Sequence, residues 1–388
     1  MNILSIETSC DETAVSLVEV SGGLENPTFR VLGNSLFSQI ATHAKYGGVF
    51  PTLAKREHAK KLPLLLIETL TEAKQYNTSI NNDFEKNDEK IKKILEREDD
   101  LYIDLKKALE NVKKPNIDAI AVTSGPGLEP ALWVGISCAK ALGLLWSIPV
   151  IPTNHMEGHI LSVFLEGNII SKTKFPALAL LISGGHTELV EIKDWGKYTI
   201  LGKTRDDAVG EAFDKVARMI GLPYPGGPEI SRLADKARNE NIERKAKLPR
   251  PMIHSDNFDF SFSGLKTSVL YYIRDHSNLS DDDKADIARE FEDAVVDVLI
   301  EKTKKAIDQI NAQTLIIAGG VISNKTLRAS FHSLEKEYPE LTVKTPTESL
   351  ATDNALMISI AGYMTIMRKP ELMNLENNII ANGNMQLS

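Results

Sequence analysis

Two hairpin-like patterns of apolar and polar positions lie about half a chain apart. In the first, the apolar run of residues 1–7 meets the alternating run AVSLVEV through the polar turn SCDET, which predicts strand, turn and strand. In the second, ALALLIS meets LVEI through the turn GGHTE within residues 177–192. Two copies of one hairpin pattern predict duplicated lobes that face each other across a cleft.

A third pattern, LIIAGGVISNKTLR at residues 315–328, joins a β-rich run to a helical segment through Gly319 and Gly320. Glycines between a strand and a helix let backbone N–H groups point at a bound molecule. This pattern therefore predicts a ligand-binding turn.

The segment 77–114 keeps near-helical apolar spacing amid dense charge. Its apolar positions are Ile91, Ile94, Leu95, Leu101, Leu105, Ala108, Leu109 and Val112. The spacing predicts a pair of amphipathic helices or one long helix. A solvated extension is the ordinary interpretation of such a charged segment, and a dedicated binding element is the alternative.

Composition is typical of a globular α/β protein. The length of 388 residues and the 42% of hydrophobic residues suffice for two domains or one bilobal unit. The two cysteines, Cys10 and Cys138, favour a reducing compartment and lack metal-site spacing. Since neither a signal, a transit segment nor a membrane span is evident, we expect a soluble cytoplasmic protein without membrane contact.

The formal net charge of −8 argues against a nucleic-acid binder that uses its whole surface. RNA contact would need a local basic patch or a partner subunit. The stretch NIERKAKLPRP at 241–251, which contains Arg244, Lys245 and Lys247, predicts a surface loop. Such a loop either contacts phosphate or is simply solvated.

The segment NHMEGHI places His155 and His159 four residues apart. On a helix this spacing puts both imidazoles on one face, where they can hold a metal ion. Spacing alone does not exclude a chance pair among the 8 histidines. Two ligands are also too few, because a catalytic site of this kind has a third protein ligand and an open position.

A zinc peptidase is a sharper alternative, because its helical HExxH motif contains two such histidines and a glutamate base. Here the acid, Glu157, comes two residues after the first histidine. At roughly 100° per residue, it points to the opposite side of the helix from the pair. This geometry disfavours a peptidase.

Nine motifs give the chain a family resemblance. They are IETSCDET (6–13), YGGVFPTLAKREH (46–58), SGPGLEPALWVG (124–135), NHMEGH (154–159), LISGGHTELV (181–190), DDAVGEAFDKVARMIGLPYPGGP (206–228), DFSFSGLKT (259–267), AGGVISN (318–324) and ATDNA (351–355). In this order they resemble the TsaD family of tRNA N6-adenosine threonylcarbamoyltransferases, formerly described as O-sialoglycoprotein endopeptidases. The resemblance runs from residue 1 to about 365.

The resemblance implies the two-lobed α/β fold of actin, sugar kinases and heat-shock ATPases, with a duplicated core. We place the N-terminal lobe at residues 1–153, with a helical insertion at about 77–114. The C-terminal lobe, with the metal and adenylate motifs, is placed at 154–388. Its final helix is expected to cross back to the N-terminal lobe.

In members of this family, the residues that match His155, His159 and Asp353 bind a metal. The resemblance thus supplies the third ligand from the ATDNA motif. It implies iron, Fe(2+), one per subunit, and Zn2+ is possible because two nitrogens and a carboxylate suit either ion.

The activity that the resemblance implies is transfer of threonylcarbamoyl from threonylcarbamoyl-AMP to the N6 amine of the adenosine 3′ of the anticodon, in tRNAs reading ANN codons. A cation next to the carbamoyl would polarise its carbonyl. The alternatives are an ATP-dependent small-molecule kinase or ATPase of the same fold, and a non-catalytic scaffold paralogue. The HMEGH pair and the retained ligands count against both.

By motif match, a set of residues is expected to bind the adenylate: Leu181, Ile182, Ser183, Gly184, Gly185, Asp214, Gly227 and Asn324. Glycines let the backbone approach phosphate, and the carboxylate and amide suit the ribose and nucleoside. Asp11 in the SCDET turn is the candidate catalytic residue, which would orient or deprotonate the attacking amine, although a capping role is the alternative.

Some positions depart from the family pattern. Ser231 stands where many relatives have an acid, and Thr52 stands in place of a glutamate. Leu181 and His186 favour the bacterial branch. In that branch the implied partners are a degenerate paralogue subunit and a small P-loop ATPase. The tail after Arg368 matches no family motif.

Overall fold

A computed structural model describes residues 1–24, 26–79, 83–276, 278–374 and 378–387. The strands in chain order are β1 (Asn2–Glu7), β2 (Glu12–Ser21), β3 (Thr28–Ser38), β4 (Ala119–Gly125), β5 (Val150–Asn154), β6 (Leu165–Glu166), β7 (Ile169–Ile170), β8 (Ala177–Ile182), β9 (Thr187–Asp194), β10 (Lys197–Lys203), β11 (Thr314–Ala318) and β12 (Thr342–Lys344).

The helices are α1 (Ile40–His43), α2 (Pro51–Glu72), α3 (Asp83–Ile94), α4 (Asp99–Leu109), α5 (Glu129–Trp146), α6 (His155–Ser162), α7 (Val209–Met219), α8 (Gly226–Asn239), α9 (Ser263–Asp275), α10 (Asp281–Ile310), α11 (Lys325–Glu337), α12 (Glu348–Ala351) and α13 (Ala355–Arg368). Short 3₁₀ helices span Ala44–Tyr46, Gly320–Ser323 and Pro370–Met373.

The chain divides into two compact units. Unit 1 comprises Met1–His43, Val49–Lys172 and Asp353–Leu387, and unit 2 comprises Ala44–Gly48 and Thr173–Thr352. This division differs from the expected boundary after residue 153. Parallel pairing of β5 with β4 keeps β5 and the following α6 in unit 1. The last long helix, α13, also lies in unit 1, where it packs on β1, β2, β5 and α6.

Each unit contains a mixed sheet, and the two sheets have the same core order. In unit 1 the order is β5-β4-β1-β2-β3, extended at the β3 edge by β7 and β6. In unit 2 it is β12-β11-β8-β9-β10. In both, three strands form an antiparallel meander and two further strands run parallel to its first strand. The predicted α/β fold with a duplicated core is confirmed.

The central strands are buried from end to end. The strands β1, β4, β8 and β11 show only buried positions, as their continuous apolar runs require of strands covered on both faces. Hydrophobic side chains of α2, α5, β1 and β4 form one core in unit 1. Those of α7, α8 and α10 form another in unit 2. Each core fixes the strand ends that carry functional groups.

The charged segment 77–114 forms two helices, α3 and α4, and residues 80–82 lie outside the described residues. Its apolar stripe is packed against α2 and α5, with Ile91, Leu101 and Leu105 buried in the unit 1 core. The prediction of a helix pair is therefore confirmed. The segment is a packed part of unit 1 whose charged face is exposed.

Among the residues that the structure describes, no helix combines the length and the apolar content needed to cross a membrane.

Candidate functional site

Three side chains converge in unit 1 to form a candidate metal site. His155, His159 and Asp353 each offer one ligand atom, and these atoms lie within 4.8 Å of one another. Asp353 Oδ1 is 3.1 Å from Nε2 of His159 and 3.4 Å from Nε2 of His155. Both imidazoles are at least nine-tenths buried. Two imidazole nitrogens and a carboxylate oxygen are a donor set that fits a transition metal with an open position.

The histidines owe their positions to the first turn of α6. Asn154, at the end of β5, caps this helix, because its side-chain oxygen accepts hydrogen bonds from the backbone N–H groups of Met156 and Glu157. Helical spacing then places His155 and His159 on one face, where their rings meet edge to face with centroids 4.7 Å apart and planes at 90°. The sequence prediction that the pair shares a helical face is confirmed.

Asp353 reaches the pair from the other end of the chain. It comes two residues before α13, which Asn354 caps by accepting a hydrogen bond from the N–H of Met357. The helices α6 and α13 pack closely at Gly158, where a Cβ would come within 3.2 Å of Met357 Cγ. A glycine at this position therefore brings the carboxylate within reach of both histidines.

Glu157 is not part of this cluster. Its side chain is buried, and Oε1 lies 2.7 Å from the guanidinium of Arg368 at the end of α13. The geometry of a zinc peptidase requires the glutamate near the metal, and here it is engaged elsewhere. The helical-face argument against a peptidase agrees with this contact.

The charges of the site stabilise one another. Burial alone would raise the pKa of Asp353, but the charge of His155 and the hydrogen bonds from both histidines hold that pKa far below its ordinary value. Burial alone would lower the pKa of His155, but Asp353 and Glu7 hold it well above its ordinary value. The cluster thus gathers excess negative charge, which suits a cation.

Asp11 lies in the turn between β1 and β2 and is buried. Burial raises its pKa, and hydrogen bonds from Glu12 and Cys10 oppose that rise. Burial, Asp353 and Asp11 together raise the pKa of Glu12 to about 9. The two carboxyls titrate as a pair, in which Glu12 holds its proton more tightly and donates a hydrogen bond to Asp11.

Unit 2 contains a separate cavity of about 620 Å³. Such a volume suits a small molecule or cofactor. The cavity is lined by the turn after β8, the start of α8 and the turn between β11 and α11, with Gly184, Asp214, Gly227 and Asn324 among its residues. A Cβ at Gly184, Gly185, Gly227 or Gly320 would meet no described atom within 4 Å. Their backbones therefore border open space that a ligand can fill.

The predicted substrate residues fall into two groups. Gly184, Asp214, Gly227 and Asn324 line the cavity. Leu181 and Ile182 are fully buried in β8 and do not line it, and the Ser183 hydroxyl accepts hydrogen bonds from the N–H groups of Gly185 and His186. Asp214 accepts one from the N–H of Gly226, at the start of α8.

Asn324 is tied to the protein by both ends of its amide. Its Oδ1 accepts a hydrogen bond from the N–H of Leu327, and its Nδ2 donates to Glu292 at 2.5 Å and to Ser231 at 3.3 Å. Both donor hydrogens are thus directed at protein groups. A ligand in the cavity meets this amide only through the remaining acceptor capacity of its oxygen.

The basic stretch at 241–251 forms an irregular, largely exposed segment, as predicted. Acids neutralise part of its charge. Arg244 pairs with Asp293 at 2.9 Å, and Lys245 lies 3.9 Å from both Glu243 and Asp283.

Comparison with known proteins identifies the family. The model of the protein family described as "TsaD: tRNA N6-adenosine threonylcarbamoyltransferase" matches residues 30–81 and 103–360. The chain belongs to this family. Residues 82–102, which carry α3 and the start of α4, lie outside the match.

Curated relatives with the name tRNA N6-adenosine threonylcarbamoyltransferase match nearly the whole chain. The Ralstonia pickettii protein is 41% identical over 375 residues, covering 95% of this chain and 93% of the relative. The Chromobacterium violaceum protein is 42% identical over 370 residues, with 94% and 93% covered. The Burkholderia multivorans protein is 42% identical over 388 residues, with 97% and 95% covered.

Solved structures share the fold at low sequence identity. Full-length HypF in its phosphate- and nucleotide-bound form superposes with a TM-score of 0.52 at 11% identity, covering 94% of this chain and 55% of that chain. HypF of T. kodakarensis has a TM-score of 0.50 at 13% identity, with 71% and 44% covered. These likenesses concern the fold alone.

Sequence reasoning missed several residues that contact the candidate site residues. Glu7 accepts hydrogen bonds beside His155, Glu12 shares a proton with Asp11, and Glu292 holds Asn324. The signal for Glu7 was present, because Glu7 is the one ionisable residue of the central strand β1. The position of Glu292 in the long helix α10 gave no comparable signal.

Proposed function

We propose that this protein transfers the threonylcarbamoyl group of threonylcarbamoyl-AMP to the N6 amine of the adenosine 3′ of the anticodon in tRNAs that read ANN codons. Membership of the family supports the transferase activity and the tRNA substrate. The observation that carries the proposal is the convergence of His155, His159 and Asp353 on one point.

We propose iron, Fe(2+), as the resident ion, with Zn2+ as the alternative that the same ligands accept. When bound, such a cation supplies Lewis acidity to the carbamoyl carbonyl. The chain itself contributes an ionised Asp353 and two histidines held on a capped helix. Asp11, whose raised pKa suits a proton acceptor, is the group proposed to orient or deprotonate the attacking amine.

The unit 2 cavity is proposed as the adenylate site. Gly184 and Gly227 leave backbone surface for a phosphate, and Asp214 offers a carboxylate to ribose hydroxyls. Ser231 is uncharged, and its hydroxyl oxygen accepts a hydrogen bond from the side-chain amide of Asn324. The leaving AMP makes a protein nucleophile unnecessary, because the acyl group arrives already activated.

The proposed setting is the cytoplasm, in a complex with a degenerate paralogue subunit and a small P-loop ATPase. An acidic chain with a partly neutralised basic loop suits an enzyme that shares tRNA binding with partners. Neutralisation of Arg244, Lys245 and Lys247 together tests whether this loop or the partners bind the tRNA. The affinity for tRNA should fall only if the loop contacts phosphate.

The test is a reconstituted reaction with purified protein, partner subunits, threonylcarbamoyl-AMP and tRNA, followed by mass analysis of the nucleosides. Wild-type protein should form threonylcarbamoyladenosine, and His155→Ala should lower the rate at least about 100-fold. His254→Ala is the matched control, since His254 is exposed and outside the site. Equal rates for all three proteins would refute the metal role, and no modified nucleoside from wild type would refute the function.

A further inference from the structure

Glu7 is a fully buried carboxylate next to the candidate metal site. It is the last residue of β1, and its exposure is 0%. The strands β4 and β5 run parallel to β1, so the carboxyl ends of all three strands lie on the same side of the unit 1 sheet. Glu7 is therefore next to Thr123 on β4 and to His155, which follows β5.

Both oxygens of Glu7 are occupied by donors. Oε1 accepts a hydrogen bond from the N–H of Ser9 at 2.5 Å. Oε2 accepts one from the hydroxyl of Thr123 at 2.6 Å and lies 3.1 Å from Nδ1 of His155. The Ser9 hydroxyl also lies 3.2 Å from the same Nδ1. Fixed donors on two sides hold the carboxylate in one orientation.

This orientation decides which ring nitrogen of His155 carries hydrogen. A carboxylate can only accept, so the nitrogen that faces it, Nδ1, must be the donor. The other nitrogen, Nε2, is the one that faces Asp353. Without an ion, Nε2 can donate to Asp353. A bound cation requires the neutral imidazole, in which the hydrogen stays on Nδ1 and the Nε2 lone pair is directed at the point where the three ligand atoms meet.

We propose that Glu7 is a positioning residue of the metal site, which fixes the ring orientation of His155 and reserves its Nε2 for the cation. The proposal rests on the metal role of His155 in the proposed function. A carboxylate that accepts the second N–H of a ligating histidine also raises the basicity of that ligand, and its loss costs about 10–100-fold in metal affinity.

The direct test replaces Glu7 by glutamine. The amide has one oxygen, and it must serve either Ser9 or the pair formed by Thr123 and His155. If its NH₂ faces Nδ1, the ring hydrogen moves to Nε2 and blocks the metal position. If the NH₂ faces Ser9, two donors meet and the side chain is displaced. Either way Glu7→Gln should bind Zn2+ about 10–100-fold more weakly than wild type in a chelator competition.

The matched control is Ser5→Ala. Ser5 is also fully buried on β1, two residues before Glu7, and its hydroxyl pairs with Ser359 at 2.6 Å instead of with the histidines. This variant should keep wild-type Zn2+ affinity. Equal affinity of Glu7→Gln and wild type would overturn the proposal. An equal loss in Ser5→Ala would overturn it too, since general disturbance of β1 would then explain both.

A second measurement does not depend on the folding of a variant. The second measurement is an NMR spectrum of zinc-loaded wild-type protein with ¹⁵N-labelled histidine. The His155 signals are those that disappear in His155→Ala. They should show a protonated Nδ1 and a metal-bound Nε2. Zinc on Nδ1 would contradict the proposal. Failure of wild type to bind Zn2+ or Fe(2+) would refute the metal site itself, and the tRNA assay reports separately on the transferase.

Discussion

Burial of His58 makes the free energy of unfolding of the chain depend on pH. Its imidazole is fully buried, with Nε2 2.9 Å from the carbonyl of Cys10 and Nδ1 2.7 Å from the hydroxyl of Thr13. Burial lowers its pKa to about 4. These contacts suit the neutral ring, which donates through Nε2 and accepts through Nδ1.

The free energy of unfolding should therefore depend on pH through His58. Because the unfolded chain binds this proton near pH 6.5 and the folded chain only near pH 4, the contribution is full above pH 6.5 and falls as pH drops towards 4. The total loss is about 3 kcal/mol. Denaturant titrations of wild type and His58→Gln at several pH values test this. The variant should lose that part of the slope, whereas the exposed-site variant His254→Ala should keep it.

Asp353 should dominate metal affinity. Asp353→Asn removes the anionic ligand and leaves two buried imidazoles, so the Zn2+ dissociation constant should rise at least about 100-fold. Asp256→Asn, at an exposed position, is the control and should bind as wild type. Retained affinity in Asp353→Asn would show that the histidines bind metal without it.

The residue-level predictions succeeded where the chemistry was local. Helical spacing alone placed His155 and His159 together and Glu157 away from them. Asp353 came from family resemblance, because nothing local links positions 159 and 353. The contact between Glu7 and His155 spans 148 residues, and it depends on strand order, which the sequence pattern did not specify.

At the scale of elements, a buried ion pair joins α6 to α13. Arg368→Met should lower the free energy of unfolding by about 1–3 kcal/mol, because it removes the charge that faces the buried Glu157. The double variant Glu157→Gln/Arg368→Met should recover part of that loss. Denaturant unfolding of the two single variants and the double variant gives the coupling energy, and simple additivity would argue against a direct interaction.

The segment 378–387 packs over the turn after β4. The N–H of Asn382 donates to the carbonyl of Ser124, and the N–H of Gly127 donates to the carbonyl of Gly383. Gly125 has a φ of +155°, and a Cβ at this position would lie only 2.0 Å from the carbonyl oxygen of Asn382. The carbonyl of Gln386 also accepts a hydrogen bond from the side chain of Asn154, the cap of α6.

Gly125→Ala should therefore cost about 2–4 kcal/mol, from the unfavourable φ and the clash together. Gly23→Ala is the control, since no described atom lies within 4 Å of its Cβ position, and it should cost less than about 1 kcal/mol. In a chain that ends at Asn374, the cost at Gly125 should shrink to the φ contribution. Thermal unfolding of the wild type, the two single variants, and the shortened chain with and without Gly125→Ala measures both parts.

Elements with strong periodicity were predictable, and their assembly was less so. The apolar stripe from Ile91 to Leu109 predicted two helices or one long helix, and the structure has two. The expected boundary after residue 153 differs from the observed division because it was placed by motif order. Pairing of Ile120 with Val150 ties β5 to β4, and no local feature at residue 153 records that long-range contact.

For the whole molecule, the separation of ligand groups between units makes a prediction about binding. The candidate metal ligands belong to unit 1 and the cavity residues to unit 2. Because Asp353 is not among the residues that line the cavity, Asp353→Asn should keep AMP affinity within about twofold. Gly227→Val fills open cavity space and should weaken AMP binding at least about tenfold, or about 1.4 kcal/mol, with Zn2+ affinity unchanged. Calorimetric titration of each variant with each ligand would reveal any coupling.

The repeated strand order implies a history for this division of labour. In each unit a candidate functional group lies at the carboxyl end of a strand with a parallel neighbour, with Glu7 as the last residue of β1 in one unit and Gly184 just after β8 in the other. A gene for one half, copied and fused, accounts for both. The candidate metal ligands lie in one copy and the glycine-lined cavity in the other, so the two copies differ in the chemical groups that they present.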